Sequence, residues 1–493
     1  MNVYLKRRGI HMDIISILLS LLVLLNIMLA AVIVFMERKD IHATWAWLLI
    51  LMFLPFIGFI LYLILGQNLS RKRLFNWDGI EKIGLKDSID TQLRQIEDGS
   101  YHFHSDTAKN NVNLITLLLR SDGALLTQDN DIDVFTDGID KFSELITDLA
   151  AANDHIHLQY YIFRNDSIGK RIIALLTEKA LAGVQVRVLY DDMGSRKLSR
   201  KHFRSLIRAG GEVGVFFPSR IPYVNSRLNY RNHRKIVVID GEIGYVGGFN
   251  VGDEYLGRTK RFGYWRDSTL DLRGSSVKAL QTRFILDWNQ ASKDQLIEYE
   301  DHYFPPVETK GELATQIVSS GPDTEYEEIK NGYIKMITSA KDSVYIQTPY
   351  LIPDASLLDA LRIAALAGKD VRIMIPNKPD HIFVYWATYS YMGELLKAGA
   401  RFFIYDAGFI HAKMIVVDRS VGSIGTANID VRSFRLNFES NAFLYHDAIG
   451  KKLAAIFEHD LEQCSEMTAQ RYRDRGVWIR FKESISRLLS PIL

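Results

Sequence analysis

The sequence predicts an α/β protein of two similar lobes, preceded by a two-helix membrane hairpin. Three observations lead there. Two long apolar runs stand at the start, alternating strand and helix patterns follow them, and one polar pattern occurs twice.

Composition narrows the choice first. A chain of 493 residues is too long for one ordinary core and fits two or three domains. Hydrophobic residues make up 47%, charged residues 24%, and the net charge is +2. That balance excludes a disordered chain and a strongly basic nucleic-acid binder. Cys464 is the single cysteine, so no internal disulfide forms and the fold needs no oxidising compartment.

The first apolar run extends from Ile14 to Met36, broken only by Ser16, Ser20 and Asn26, and ends at Glu37-Arg38-Lys39-Asp40. The second extends from about Ala43 to Leu65, with Trp45, Trp47 and Tyr62 near its ends, where aromatic rings suit a headgroup interface. Pro55 and Gly58 lie mid-run and are tolerable in a packed membrane helix. The first run exceeds a signal-peptide core and a second follows at once, so a hairpin is the better reading. Lys6-Arg7-Arg8 and Arg71-Lys72-Arg73 flank the pair, against Arg38-Lys39 in the loop, which predicts cytoplasmic ends. A start at Met12 would delete the first cluster and weaken that bias.

Residues 71–113 read as a juxtamembrane linker, 114–305 as the first lobe and 306–493 as the second. The repeat defines the lobes. Ile156-His157-Leu158-Gln159 is echoed by Val344-Tyr345-Ile346-Gln347, Gly183 to Leu189 by Gly368 to Met374, and Ala209-Gly210-Gly211 by Ala398-Gly399-Ala400. Helical patterns lie between them, as from Ile168 to Leu181 and from Leu357 to Ala367. Two copies predict a pseudo-dimer within one chain.

Each copy ends in the most informative segment. The first reads His233-Arg234-Lys235, Asp240, Gly247-Gly248 and Asn250; the second reads His411-Ala412-Lys413, Asp418, Gly425 and Asn428. The spacings match: His to Asp is seven in both, Asp to Gly seven, and Gly to Asn three. One such set would be weak evidence, since short motifs arise freely; a matched pair at equivalent points of a repeat is strong. Each is expected to be a strand with His and Lys on one face, a turn at the aspartate, and glycines that let backbone approach a ligand. Across a pseudo-twofold axis the two half-sites supply two imidazoles, two ammonium groups and two amides. That set can hold a phosphodiester without a metal, attack phosphorus, and protonate a departing alkoxide.

These residues resemble the phospholipase D superfamily, marked by a doubled His-x-Lys-x4-Asp motif with a following Gly/Ser-x-Asn. The resemblance implies two phospholipase D-like α/β lobes, an active site at their interface and a covalent phosphohistidine. It makes His233, Lys235, Asp240, His411, Lys413 and Asp418 the catalytic set, the aspartates supporting the site rather than touching substrate. Asn250 and Asn428 bind phosphate with the lysines. Asp267 and Glu439 match the carboxylates that orient the histidines, and family habit makes His233 the nucleophile.

Three features favour lipid over nucleic acid. One is the hairpin. Another is a longer approach to the first motif, from Phe216 to His233, holding Arg220, Tyr223, Arg227, Tyr230 and Arg231. The third is the C-terminus, where Trp478, Phe481, Ile485, Leu488 and Leu489 recur at helical spacing. That segment is an interfacial helix or a helix packed on the core, the second being the usual fate. The layout resembles bacterial cardiolipin synthases, including Ser320-Gly321-Pro322-Asp323, Gln347-x-Pro349-Tyr350 and a Leu-Leu-Ser-Pro end. The implied reaction passes a phosphatidyl group between two phosphatidylglycerols, giving cardiolipin and glycerol, at the cell membrane. Its implied partners are phosphatidylglycerol and membrane lipid, not nucleic acid. No cofactor is expected, there being no nucleotide loop, and no metal; His102-x-His104 and His155-x-His157 read as alternating residues on strands. A hydrolase, a transferase with another donor or acceptor, and a non-enzymatic scaffold remain the alternatives, in that order.

Overall fold

The computed structural model describes residues 85–218, 230–307 and 311–490 throughout, and before them 16–18, 20–21, 23–31, 41–54, 58 and 62. The chain divides into an N-terminal unit reaching Leu74 and a larger unit comprising Phe75–Pro218 and Tyr230–Leu493.

In the N-terminal unit, Ile41–Phe53 is helical, as are the described residues of 16–31. Leu29 and Trp47 pack against Leu51 and Tyr62, so the two apolar runs touch. Trp45, Met52 and Phe53 are largely exposed. Among the described residues no helix is long and apolar enough to cross a membrane; much of the expected hairpin lies outside them.

The larger unit repeats one sheet twice. In the first lobe, Glu212–Phe216, Gln185–Asp191 and His155–Tyr160 run parallel. Ile236–Ile239, Ile243–Gly247, Tyr264–Arg273 and Thr127–Asp137 continue antiparallel. The second lobe has the same order: Arg401–Tyr405, Asp370–Pro376, Ser343–Gln347, Met414–Val417, Val421–Gly425, Asn437–Tyr445 and Leu313–Ser320. The last strands of the two sheets pair through Thr127↔Thr315 and Asn130↔Leu313. Leu114, Ile115 and Leu118, from the Val112–Asp122 helix, pack in the second lobe's core.

Strand periodicity then builds the interface. Val237 and Ile239 face the first lobe's helices, while Ile236 and Val238 face the other way. The second lobe repeats this, with Ile415 and Val417 in its own core and Met414 and Val416 turned outward. The outward sets meet in one apolar core shared by both lobes, with Leu270, Leu272, Ile424 and Leu444. Each such side chain contributes about 1.5–3 kcal/mol by leaving water, so the lobes are held as one body.

Candidate active site

Both motif histidines sit where the chain changes partners. Arg231–Asn232 pairs in parallel with Asn437–Phe438 of the second lobe, and the regular motif strand begins only at Ile236. Gly408–Ile410 pairs reciprocally with Tyr264–Arg266 of the first lobe, and its strand begins at Met414. His233 and Lys235, like His411 and Lys413, therefore lie in an extended crossover before the strand, not on it as expected. The cause is the exchange itself: the His233 N–H donates to Phe438 O at 3.0 Å, and the His411 N–H donates to Arg266 O at 2.7 Å, each across the lobe boundary.

The exchange also decides which carboxylate meets which imidazole. His233 Nδ1 lies 2.9 Å from both Glu439 oxygens, and His411 Nδ1 lies 2.6 Å from Asp267 Oδ2. Each ring is held by the other lobe's carboxylate. Sequence order, with Asp267 after the first motif and Glu439 after the second, gives no hint of this swap. Both carboxylates are buried. Burial alone would raise Glu439, but His233, Lys235 and Thr426 outweigh it and keep it below the usual range. Asp267 is likewise lowered, Lys413 and His411 outweighing burial. An ionised carboxylate accepts a hydrogen bond from Nδ1–H, which keeps the proton on Nδ1 and leaves Nε2 as the basic nitrogen.

The rings keep about a tenth of their side-chain surface exposed. Burial pushes His233 down to about 4, against the opposing pull of Glu439. His411 is also lowered, by burial and then by Lys413. Both imidazoles are thus neutral near pH 7. Burial brings Lys235 down to about 7 and Lys413 to about 8, so either ammonium gains strongly from an arriving anion. Lys235 Nζ donates to His233 O at 2.6 Å and Lys413 Nζ likewise to His411 O at 2.5 Å; Lys413 Nζ also stands 2.7 Å from Nδ1 and 3.1 Å from Nε2 of the His411 ring. Tyr161 lies edge-on to His233 at 4.9 Å, and Trp265 flanks His411 at 5.1 Å.

The remaining expected residues divide. Asn428 is buried, with its acceptor Oδ1 unpaired among the described residues. Asn250 is equally buried, but its Oδ1 accepts the Ile162 N–H at 3.0 Å. Asp240 and Asp418 stand at the far end of their strands from the histidines. Asp240 accepts the N–H groups of Asn153, Asp154 and His155, and Asp418 those of Lys341, Asp342 and Ser343. They pin the turn to the head of the neighbouring strand. The glycines serve the protein rather than a ligand: a Cβ on Gly248 would strike the Asp267 carboxylate, and one on Gly425 the Asn441 amide.

His155 and His157 do lie on a strand, engaged by Asp154, Gln281 and Arg187. His102 and His104 lie outside regular structure. Glu144, Asp148 and Asp271 bring three carboxylates together in the first lobe, where Tyr245 and Arg273 bond to them.

A model of the family described as cardiolipin synthase, phospholipase D-like domain, matches residues 145–262 and 333–461, the stretches that build the two half-sites. The chain belongs to this family. A phospholipase D-nuclease N-terminal model matches residues 24–67. The major cardiolipin synthase ClsA of Bacillus subtilis (strain 168) is 59% identical over 98% of this chain and 100% of its own length. A cardiolipin synthase of Listeria innocua is 55% identical over the same shares. A crystal structure of phosphatidylserine synthase from Haemophilus influenzae Rd KW20 superposes with a TM-score of 0.59 at 14% identity, over 79% of this chain and 100% of that one, a likeness of fold.

Most of the residues that frame the site carried no recognisable sequence signal. Arg234 reaches the buried Asp287 at 2.7 Å and the Glu439 carbonyl at 3.1 Å. Arg266 reaches Asp460 at 2.7 Å across the lobe boundary. Gln159 and Gln347 bond to Asp287 and Asp460 at 2.7 Å each. Only the two glutamines were visible in advance, as matched positions of the repeat. Thr426 and Asn437 hold Glu439 at 2.5 and 3.3 Å.

Proposed function

We propose that the protein is a cardiolipin synthase, transferring a phosphatidyl group from one phosphatidylglycerol to another through a phosphohistidine. The observation that carries the reading is the reciprocal pair of carboxylate-held imidazoles, each with a buried lysine two residues on. His233 Nε2 attacks phosphorus, and the bond to the glycerol headgroup breaks as His411, which takes up a proton on Nε2 when the anionic substrate binds and holds it as an imidazolium paired with Asp267, gives that proton to the departing oxygen. Lys235 and Lys413 bear the charge on the phosphoryl oxygens, and Asn428 adds its Nδ2–H as donor. The terminal hydroxyl of a second phosphatidylglycerol then gives its proton to His411 and attacks phosphorus. The P–N bond breaks, cardiolipin leaves and His233 is restored. Both lysines bond their own histidine's carbonyl, and His233 is assigned as nucleophile because the Lys413 ammonium also crowds the ring of His411.

The N-terminal unit is assigned as a membrane hairpin with its ends and the catalytic unit on the cytoplasmic side, making this a multi-pass protein of the cell membrane. Contact between the two apolar runs and their outward apolar side chains support it. The test is incubation of detergent-purified protein with phosphatidylglycerol labelled in phosphate. Cardiolipin plus glycerol is expected; phosphatidic acid alone would make it a hydrolase, and no turnover would end the enzymatic reading. Acid-labile label should be trapped on His233 and be absent from His233→Ala.

A further inference from the structure

The C-terminal helix, Val477–Leu488, is amphipathic the wrong way round for a core helix. All but one of its apolar residues, the half-buried Ile479, face out: Val477, Trp478, Phe481, Ile485 and Leu488 are 80, 76, 56, 42 and 77% exposed. Its buried residues are polar, Glu483 and Ser486. At 3.6 residues per turn the apolar stripe is centred about 160° from that buried face, so it points away from the protein. The packed side is fixed by specific bonds. Glu483 takes both ends of the Arg475 guanidinium at 2.8 Å, Arg487 pairs with Glu394, and Lys482 covers Trp386 at 5.2 Å.

Those last contacts lie on the neighbouring Ile382–Ala398 helix, and they climb both helices in the same direction. Val477 and Trp478 therefore stand toward the start of that helix, whose own Ile382 and Phe383 are 64 and 53% exposed. The start of that helix is also the rim of the active site. Asp380, just before it, accepts the Tyr350 hydroxyl proton and acts electrostatically on His411 and Lys413. Exposed Arg480 borders the apolar stripe and reaches the Arg473 carbonyl, and Arg471 and Arg473 are exposed on the short Ala469–Arg473 helix just before it. An apolar surface that borders a phosphate-handling site and is fringed with cations matches an anionic bilayer: acyl chains for the stripe, phosphates for the arginines.

We propose that this surface is a membrane-docking face, which seats the C-terminal helix at the headgroup–acyl boundary of an anionic bilayer and presents the active-site rim to lipid. The proposal rests on the lipid-transfer reading for its purpose but not for its test. Full-length protein, with Cys464 replaced by serine, carries an environment-sensitive fluorophore at Phe481→Cys or Arg480→Cys and is reconstituted in phosphatidylglycerol vesicles. The label at 481 is expected to shift blue and to be quenched by lipids brominated in their acyl chains, and the label at 480 not. A blue shift at 481 without lipid quenching would mean that protein covers the stripe, the chain's own N-terminal segment or a second copy, and would overturn the proposal. So would no shift, or equal quenching at both. In a second arm, Trp478→Glu/Phe481→Glu should raise the apparent KM for vesicle lipid at least about tenfold and leave turnover of water-soluble short-chain phosphatidylglycerol unchanged. Equal loss on both substrates would assign the stripe a structural role and overturn docking. Absent turnover in the parent protein would count against the enzymatic reading, while the quenching result would stand.

Discussion

At the scale of single residues, the chemistry depends on a neutral His233, a proton that His411 gains with substrate, and charged lysines coexisting in one buried site. Burial favours the neutral form of all four, and the carboxylates Glu439 and Asp267 restrain it only in part. The sign of the pH dependence follows. A neutral His233 is available at any pH above about 4, whereas Lys235 and Lys413 lose their protons as pH rises through about 7 and about 8. In kcat/KM, which reports the free enzyme, activity should therefore fall as pH rises across that window, loss of the His411 proton acting in the same direction. Bound phosphodiester favours the ammonium form, so the same limb in kcat should lie at higher pH. A parallel limb in both would show that the lysines do not bind phosphate. Gly248 belongs to this scale too. Gly248→Ala should displace Asp267, leave His411 unheld and lower kcat on the order of 100-fold, because misplacing a catalytic group by about 1 Å costs that much. A variant with full kcat would show that the Asp267 contact does not position His411.

Among elements, the crossover before each motif strand is the feature that matters. Its short parallel pairing with the opposite lobe is anchored on one side by Arg234–Asp287 and on the other by Arg266–Asp460, both buried. Removing one partner of such a pair leaves the other charged and dry. Asp460→Ala should destabilise the protein by about 3–5 kcal/mol, read as a lowered denaturant midpoint. A change below about 1 kcal/mol would mean the pair is solvated in practice. Asp240 and Asp418 act at this scale rather than in the chemistry. Each adopts a left-handed backbone, φ 54° and 52°, and accepts three N–H groups at the head of the neighbouring strand, tying the turn to it.

For the whole molecule, the lobes share one apolar core and each completes the other's histidine. Neither lobe can then be stable or competent alone, so calorimetry of the catalytic unit should show one cooperative transition covering both lobes. Two separated transitions would contradict a shared core. Much of this was legible in advance. The doubled spacing of His, Lys, Asp, Gly and Asn, the alternation of strands with helices, and the repeat itself are local patterns, fixed by which residues must face inward. The sequence by itself determined the two-lobed α/β plan, the chemical kinds of group at the site and the family to which the chain belongs. Only the tertiary structure decided that the carboxylates are exchanged between lobes, that the motif histidines stand before their strands, and that the last helix turns its apolar face outward. Those facts depend on which distant segments pair and on which side of a helix finds a partner, and no local pattern encodes that choice.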